Sequence, residues 1–409
     1  LYDDQNSFRY IGGRLELGLG YMADGYSRVS GKPGVIITST GPGAADSMGA
    51  MGEAYYSAST ILQITMNVQR DFINSGRGIT HEPKDQLGML RSVTDWNALV
   101  TEVESIPDQI HEAFRRFGTR RPRPIELEIA TDLLGLEGDV EIGPQVQVQA
   151  PQGAPAMMDK AIEALKKARR PIIYVGEEVL HSGATAELVK LAEALGAPVV
   201  TGDGGKSAFP EDHPLSLGQA LGKHIWGTNP VLDFIPGCDL ALVVGSILPY
   251  RSTGQLDLRM PENLVHVLLD GESIGKNYPA SIPIVANSKA ALVQIISGLG
   301  DGDHQTSDAY RKEVAELREQ IYRELKEYWP NELRTLEAMR AVLPRDTILV
   351  GDATVAVSRA SRCFDTYGPR TFMYPHGWAG LGFGFPASLG AKLASPDSPV
   401  VCVTGDGGF

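Results

Sequence analysis

Gly34-Val-Ile-Ile-Thr38-Ser-Thr-Gly41-Pro42-Gly43-Ala44 decides the fold. The apolar, β-branched run from Gly34 to Thr38 reads as a short buried strand. Gly41-Pro42-Gly43 ends it, and the small-residue stretch from Ala44 to Tyr56 reads as a helix. A strand that passes through a glycine turn into a helix is one βα unit. Outward from it the pattern continues: Leu15 to Ser27 predicts a helix, Thr60 to Thr65 a strand, Ile106 to Phe117 an amphipathic helix and Pro124 to Ile129 another strand. Such alternation implies βαβ units and a parallel sheet.

The same grammar recurs twice. Between Gly138 and Ala154 the pattern dissolves into Gly, Pro, Gln and Val. A second alternating stretch then predicts helices over Met157 to Ala168, Ala184 to Leu195 and Lys289 to Gly298, with strands at Pro171 to Val175, Pro198 to Thr201, Leu240 to Val244 and Leu264 to Leu269. After the polar stretch Gly300 to Ser307 and a charged helix, Ala309 to Tyr328, a third contains Thr347 to Val350, Pro386 to Ala394 and Val400 to Val403. The expected fold is α/β, with three doubly wound parallel-sheet domains at 1–135, 156–300 and 330–409. A linker at 136–155 and a linker helix at 301–329 join them. The opening Leu1-Tyr2-Asp3-Asp4 lacks a methionine and Phe409 falls inside a motif, so the first and last domains are expected to be incomplete.

With 409 residues and 43% apolar content, each domain can bury a core. The net charge of −13 is spread along the chain, which disfavours nucleic acid and anionic membranes as partners. No apolar run reaches the ~18 to 20 residues that span a bilayer. Cys238, Cys363 and Cys402 lie far apart, which allows neither a disulfide framework nor a zinc site and suits a reducing cytoplasm.

Two places carry chemistry. Gly405-Asp406-Gly407, directly after Val400-Val-Cys-Val403, lets backbone amides approach a pyrophosphate while a carboxylate takes a divalent cation. Taken alone it is also ordinary turn chemistry. Glu16 stands among Leu15, Leu17 and Leu19, so burial is expected to disfavour its charge. Taken alone it reads first as a helix-surface glutamate with a solvated face.

The context chooses between these readings. The run from Arg14 through Glu16, Asp24, Gly25 and Tyr26 to Arg28, followed by Gly31-Lys-Pro33-Gly34 and Gly41-Pro42-Gly43, resembles the pyrimidine-binding domain of thiamine-diphosphate enzymes of the acetolactate synthase and 2-oxoacid decarboxylase type. The resemblance puts Glu16 at the catalytic glutamate and Gly41, Pro42 and Gly43 at the turn beside the active site. Gly377-Trp-Ala-Gly380-Leu381-Gly-Phe-Gly-Phe-Pro386-Ala387, followed by Gly405-Asp406-Gly407, resembles the family's diphosphate-binding domain. It implies Asp406 as magnesium ligand, Gly405 and Gly407 admitting the diphosphate, and Gly380-Leu381 placing a bulky side chain under the bent cofactor. An Asn-containing metal segment is expected beyond Phe409. The middle stretch resembles the central domain, where Arg251 implies FAD or, in related decarboxylases, ADP; Arg251 as a simple ion-pair arginine stays open.

The implied activity is thiamine-diphosphate- and magnesium-dependent decarboxylation of a 2-oxoacid with carboligation, acetolactate synthase-like. Non-ligating 2-oxoacid decarboxylase, 2-hydroxyacyl-CoA lyase and a non-catalytic nucleotide-binding or assembly protein of the same fold are the alternatives. In the implied mechanism Glu16 shares a proton with the pyrimidine nitrogen, and the thiazolium accepts the electrons released as carbon dioxide leaves. The resemblance also implies a homodimer or homotetramer in which Glu16 and Asp406 come from different chains. Leu15, where many relatives have histidine, and His376-Gly377-Trp378-Ala379 depart from the family pattern and leave the substrate open. Gly202-Asp203-Gly204 with Asn229 mimics the metal motif, but Pro210 and Pro214 interrupt the interval, and 201–206 reads as a loop. His81 and Gln86 fall in a loop that either faces the substrate or is plain structure.

Overall fold

The computed structural model describes residues 7–145, 147–221, 229–300 and 306–409. The Leu1 to Asp4 opening and residues 301–305 of the polar stretch lie outside them. Among the described residues the strands form three sheets, and every strand pair is parallel. The first contains β1 (Gly34–Thr38), β2 (Ile61–Asn67), β3 (Trp96–Val100) and β4 (Ile125–Ala130) in the order β1-β2-β4-β3. The second comprises β5 (Pro171–Val175), β6 (Val199–Thr201), β7 (Ser216–Gln219), β8 (Leu240–Val244), β9 (Leu264–Leu268) and β10 (Ile282–Val285), ordered β10-β9-β8-β5-β6-β7. The third places β11 (Ile348–Gly351) between β12 (Phe372–Met373) and β13 (Val400–Val403).

The apolar runs become strands because both faces are covered. β5, β8 and β9 are buried at every residue, and in such strands continuous Val, Ile and Leu replace the alternation of a half-solvated sheet. Helix Asp308–Tyr328 bridges two domains. Ser307 caps it, its hydroxyl accepting from the Tyr310 N–H at 3.2 Å. Tyr310, Val314 and Leu317 pack on the central domain, and Leu325 packs with Trp329 and Leu349 on the third.

The first and third domains share a core. Tyr21 and Ala50 pack with Ile348, Val350, Met373, Phe383, Ala387 and Ala391. Helix Glu16–Ser30 crosses helix Gly384–Ala394 so closely that a Cβ on Gly25 would lie 2.8 Å from Ala387 Cα, and one on Gly390 would lie 2.8 Å from the Met22 carbonyl carbon. Buried Arg121 joins the first and central domains by pairing with Glu177 and Glu178. Arg370 donates to the carbonyls of Arg28 and Leu180, and so touches the other two domains from the third.

Candidate functional site

In the first domain the strand-to-helix turn after β1 is built around Gly41. Its φ of +65° is left-handed, and a Cβ there would press on the His81 carbonyl, so glycine is required on both counts. The Gly41 N–H donates to Gln86 Oε1 at 2.8 Å, and Gln86 Nε2 donates to the Met66 carbonyl at 3.0 Å. Thr40 Oγ1 also donates to Met66 O. Pro42 opens helix Pro42–Tyr56, where its missing N–H is not needed. A Cβ on Gly43 would press on Ser39 Oγ and lie 3.1 Å from Glu16 Oε1. The Gly41-Pro42-Gly43 turn and Glu16 are thus neighbours in space, as the motif implies.

The expectation that leucines enclose Glu16 does not hold. Glu16 is the first residue of helix Glu16–Ser30 and is half-buried, while Leu15 is 53% exposed. Successive helix residues point about 100° apart, so Leu15 and Leu17 cannot wall in the side chain between them. Leu17 and Leu19 instead pack into two separate clusters beneath the helix.

In the third domain the chemistry gathers where β11 and β13 end. Gly405-Asp406-Gly407 follows β13 with Asp406 exposed, and Leu381, 59% exposed, lies 3.8 Å from where a Gly407 Cβ would sit. Gly380 adjoins Leu381 and closes on the Tyr21 hydroxyl of the first domain. Buried Asp352, just after β11, holds this corner. Its Oδ2 accepts from the N–H groups of Gly382 and Gly384 at 3.1 and 3.3 Å, and its Oδ1 from Ala353 N–H at 2.8 Å. Sequence reasoning missed Asp352. A signal existed, since Gly351-Asp352 follows a strand just as Gly405-Asp406 does.

Glu53 of helix Pro42–Tyr56 grips the segment leading into Leu381. Its carboxylate accepts from three successive N–H groups, those of Gly377, Trp378 and Ala379, at 3.3, 2.7 and 3.3 Å. Arg28 bridges Glu53 to Asp24 and donates to the Tyr374 carbonyl at 3.2 Å. Burial alone would raise the Glu53 pKa. Arg28, His376, the Ser57 hydroxyl and the Trp378 N–H outweigh burial and hold it below the usual carboxylate range. Much of the Asp24 to Arg28 motif therefore docks one domain on another.

Family models match all three regions: the thiamine pyrophosphate enzyme N-terminal TPP binding domain at residues 1–89, the central domain at 158–295 and the C-terminal TPP binding domain at 350–409. The chain belongs to the thiamine pyrophosphate enzyme family. A probable acetolactate synthase large subunit from Methanocaldococcus jannaschii is 31% identical over 100% of this chain and 71% of its own length. A probable 2-ketoarginine decarboxylase from Pseudomonas aeruginosa is 31% identical over 99% of this chain and 71% of its own. The acetolactate synthase of Mycobacterium bovis is 29% identical, covering 99% and 66%.

Within this family's frame the site residues fall in two groups, Glu16 with Gly41, Pro42 and Gly43, and Asp406 with Gly405, Gly407, Gly380 and Leu381. No hydrogen bond or ion pair joins Glu16 to Asp406 among the described residues. Arg251 lies between the central and third domains, 3.8 Å from Asp203, 3.4 Å from the His376 carbonyl and over the Tyr374 ring. The Gly202-Asp203-Gly204 segment is a loop with a single 3₁₀ turn, and Asp203 faces Arg251. Asn229 is buried and donates to the carbonyls of Gln219 and Leu221. Gln86 is the first residue of a short helix, Gln86–Arg91, and binds the Gly41 turn.

Proposed function

We propose that this enzyme catalyses thiamine-diphosphate- and magnesium-dependent decarboxylation of a 2-oxoacid with carboligation, as acetolactate synthases do. The observation that carries the reading is the pair of clusters in two matched TPP-binding domains: Glu16 against Gly43, and Asp406 with its flanking glycines beside Leu381. The residues fit the cofactor. Asp406 is exposed and its carboxylate takes no hydrogen bond among the described residues, which leaves an oxygen ligand for a divalent cation. Leu381 and Gly380 would help hold the cofactor, and Gly405 and Gly407 would let the backbone approach the diphosphate.

When bound, thiamine diphosphate supplies the electron sink for the bond that breaks as carbon dioxide leaves. Glu16 would hold and move the proton at its pyrimidine ring nitrogen. Asp352 and Glu53 keep the Leu381 segment in place by binding its N–H groups. A panel of pyruvate, oxaloacetate and benzoylformate, with and without aldehyde acceptors, tests the reading. Glu16→Gln keeps the shape and removes the proton, so turnover at saturating cofactor should fall by ~100- to 10,000-fold. Near-normal turnover would refute the assigned role.

Decarboxylation without ligation is the second reading. The Pseudomonas aeruginosa relative, named a decarboxylase, is as similar as the synthase relative and supports it. Product analysis with and without an acceptor separates the two. We also propose a homodimer or homotetramer that joins Glu16 of one chain to Asp406 of another. The exposed apolar side chains of Leu15, Trp378, Leu381, Phe385 and Phe409 support it. A fully active monomer in light scattering would refute it. FAD or ADP beside Arg251 would share a guanidinium already engaged, and an absorption spectrum with thermal shifts for both nucleotides tests that proposal. A cytoplasmic location is supported by three free cysteines. No helix among the described residues is long and apolar enough to cross a membrane.

A further inference from the structure

Behind the Gly41 turn lies a polar layer that the proposed chemistry does not use. β4 places Glu126 and Glu128 two residues apart, so both side chains fall on one face of the first sheet, where they are 0% and 1% exposed. Gln63 and Thr65 of β2 and Asn97 and Leu99 of β3 stand opposite them in register. Asn67 Nδ2 donates to Glu128 Oε1; Asn97 and Thr65 stand near Glu126 and Gln86 near Glu128, but none of them makes a well-formed hydrogen bond to the remaining three carboxyl oxygens. Burial, with Glu128 adding to it, pushes Glu126 well above the usual carboxylate range. Burial also raises Glu128, against the pull of Asn67 and Gln86. The layer reaches the active-site turn through Gln86, itself 1% exposed.

Gln86 has its amide orientation set by its partners. The Oε1 must accept from Gly41 N–H, and the Nε2 must donate to Met66 O. The Gly41 N–H is one of the donors at the start of helix Pro42–Tyr56 that the helix itself leaves unpaired, and no side chain of the cap residue serves it. We propose that Gln86 is a positioning residue, tying the Gly41-Pro42-Gly43 turn to the end of β2 and thereby setting Gly43 against the Glu16 carboxylate. It touches neither substrate nor cofactor on this geometry and acts through the turn. The inference rests on the reading of Glu16 given under the proposed function.

The consequence for pH follows from chemistry. Gln86→Glu preserves shape, but only its protonated form can donate to Met66 O while accepting from Gly41 N–H. The titratable groups around the position are Glu128 on β4, which Gln86 itself approaches, Glu126 beside it, Asp85 preceding its own helix, His81, whose carbonyl abuts Gly41, and Glu16 beyond the turn at Gly43. The acidic neighbours and the burial favour the neutral form and raise the carboxyl of the variant above the usual carboxylate range. Near pH 5.5 the variant should therefore behave like the native enzyme. As pH rises the carboxylate forms against the Met66 carbonyl and the turn is displaced.

The experiment measures kcat and KM of the assembled enzyme for its best 2-oxoacid from pH 5.5 to 8.5, in the native chain, Gln86→Glu and Gln86→Leu. Hydrogen exchange of the peptide spanning Gly41 is followed alongside. Displacing a reacting group by about 1 Å can cost ~100-fold, so Gln86→Leu should lower kcat ~10- to 100-fold at all pH values with KM little changed. Gln86→Glu should match the native enzyme within about threefold at pH 5.5 and fall ~10-fold or more behind it by pH 8. Exchange at Gly41 should accelerate in Gln86→Leu at every pH, and in Gln86→Glu only at high pH. A Gln86→Glu to native ratio independent of pH, or unaltered Gly41 exchange in Gln86→Leu, would overturn the proposal. If the native chain turns over no 2-oxoacid, the functional reading falls while the exchange profiles still decide the role of Gln86. If Gln86→Leu fails to fold, the pH profile of Gln86→Glu decides it.

Discussion

Helix Glu16–Ser30 allows one substitution to be made twice with opposite expected signs. Gly18 has no atom within 4 Å of the position a Cβ would take, and Gly25 has the Ala387 Cα at 2.8 Å with the Ala387 carbonyl oxygen nearer still. In a helix interior alanine is favoured over glycine by about 0.8 to 1 kcal/mol; Gly18 lies in the first turn, so Gly18→Ala should stabilise the chain by part of that amount. At Gly25 the same gain is opposed by a clash with another helix's backbone, which cannot rotate aside. Ordinary carbon contacts lie at about 3.5 to 4.0 Å, so the helices must part by roughly 1 Å, a gap that forfeits a quarter to a half of the contact energy it opens. The core between them, with Tyr21, Phe383 and Ala391, is fully buried. Overpacking of this kind typically costs ~1 to 3 kcal/mol. With the backbone fixed on both sides, the upper end applies, leaving Gly25→Ala about 2 kcal/mol less stable after the helix gain is deducted. Urea unfolding followed by tryptophan fluorescence, to which Trp378 resting on Gly52 at this domain boundary contributes, reads the effect. With an m-value of ~2 to 3 kcal/mol/M, the midpoint should fall by about 0.7 to 1 M for Gly25→Ala and rise slightly for Gly18→Ala. Equal midpoints for the two variants would refute the assigned docking role of the helix crossing.

Three further outcomes are expected. Glu53 has a depressed pKa, so its contribution to stability is present above the ordinary carboxylate pKa and is lost as pH falls through the lower folded value; Glu53→Gln should flatten the acid limb of a stability–pH curve measured by urea midpoints. Glu126 has a raised pKa, so ionisation of the unfolded chain removes stability as pH rises above the ordinary carboxylate value; Glu126→Gln should therefore gain stability over the native chain at pH 8 and little at pH 4. Thiamine diphosphate with magnesium should raise the thermal midpoint, the linkage reaching ~2.7 kcal/mol at a hundredfold excess over Kd, and Asp406→Ala should abolish the shift that magnesium adds.

Periodicity in the sequence was enough to set out most of the βα alternation, because buried parallel strands and their helices carry strong local patterns. Strand β5, helix Thr185–Leu195 and helix Asp308–Tyr328 lie where the apolar spacing puts them, within a residue. Elements without such a signal escaped it. β12 is two residues long, β3 is half-buried with mixed polarity, and the helix Val355–Cys363 follows Asp352 with no apolar period long enough to read. The Glu16, Gly41 to Gly43, Leu381 and Gly405 to Gly407 motifs are residue types at close spacing, and the structure brings Glu16 beside Gly43 and Leu381 beside Gly407. What surrounds those motifs was decided only in three dimensions. Glu53 meets the Trp378 amide across 325 positions of sequence, Gln86 meets Gly41 across 45, and Asp352 meets Gly382 across 30. Burial of a carboxylate and the number of its hydrogen-bond donors are properties of such distant partners. Leucines adjacent in sequence to Glu16 therefore predicted its enclosure wrongly, whereas Glu126 and Glu128 became deeply buried because the chain closed a second layer over β4.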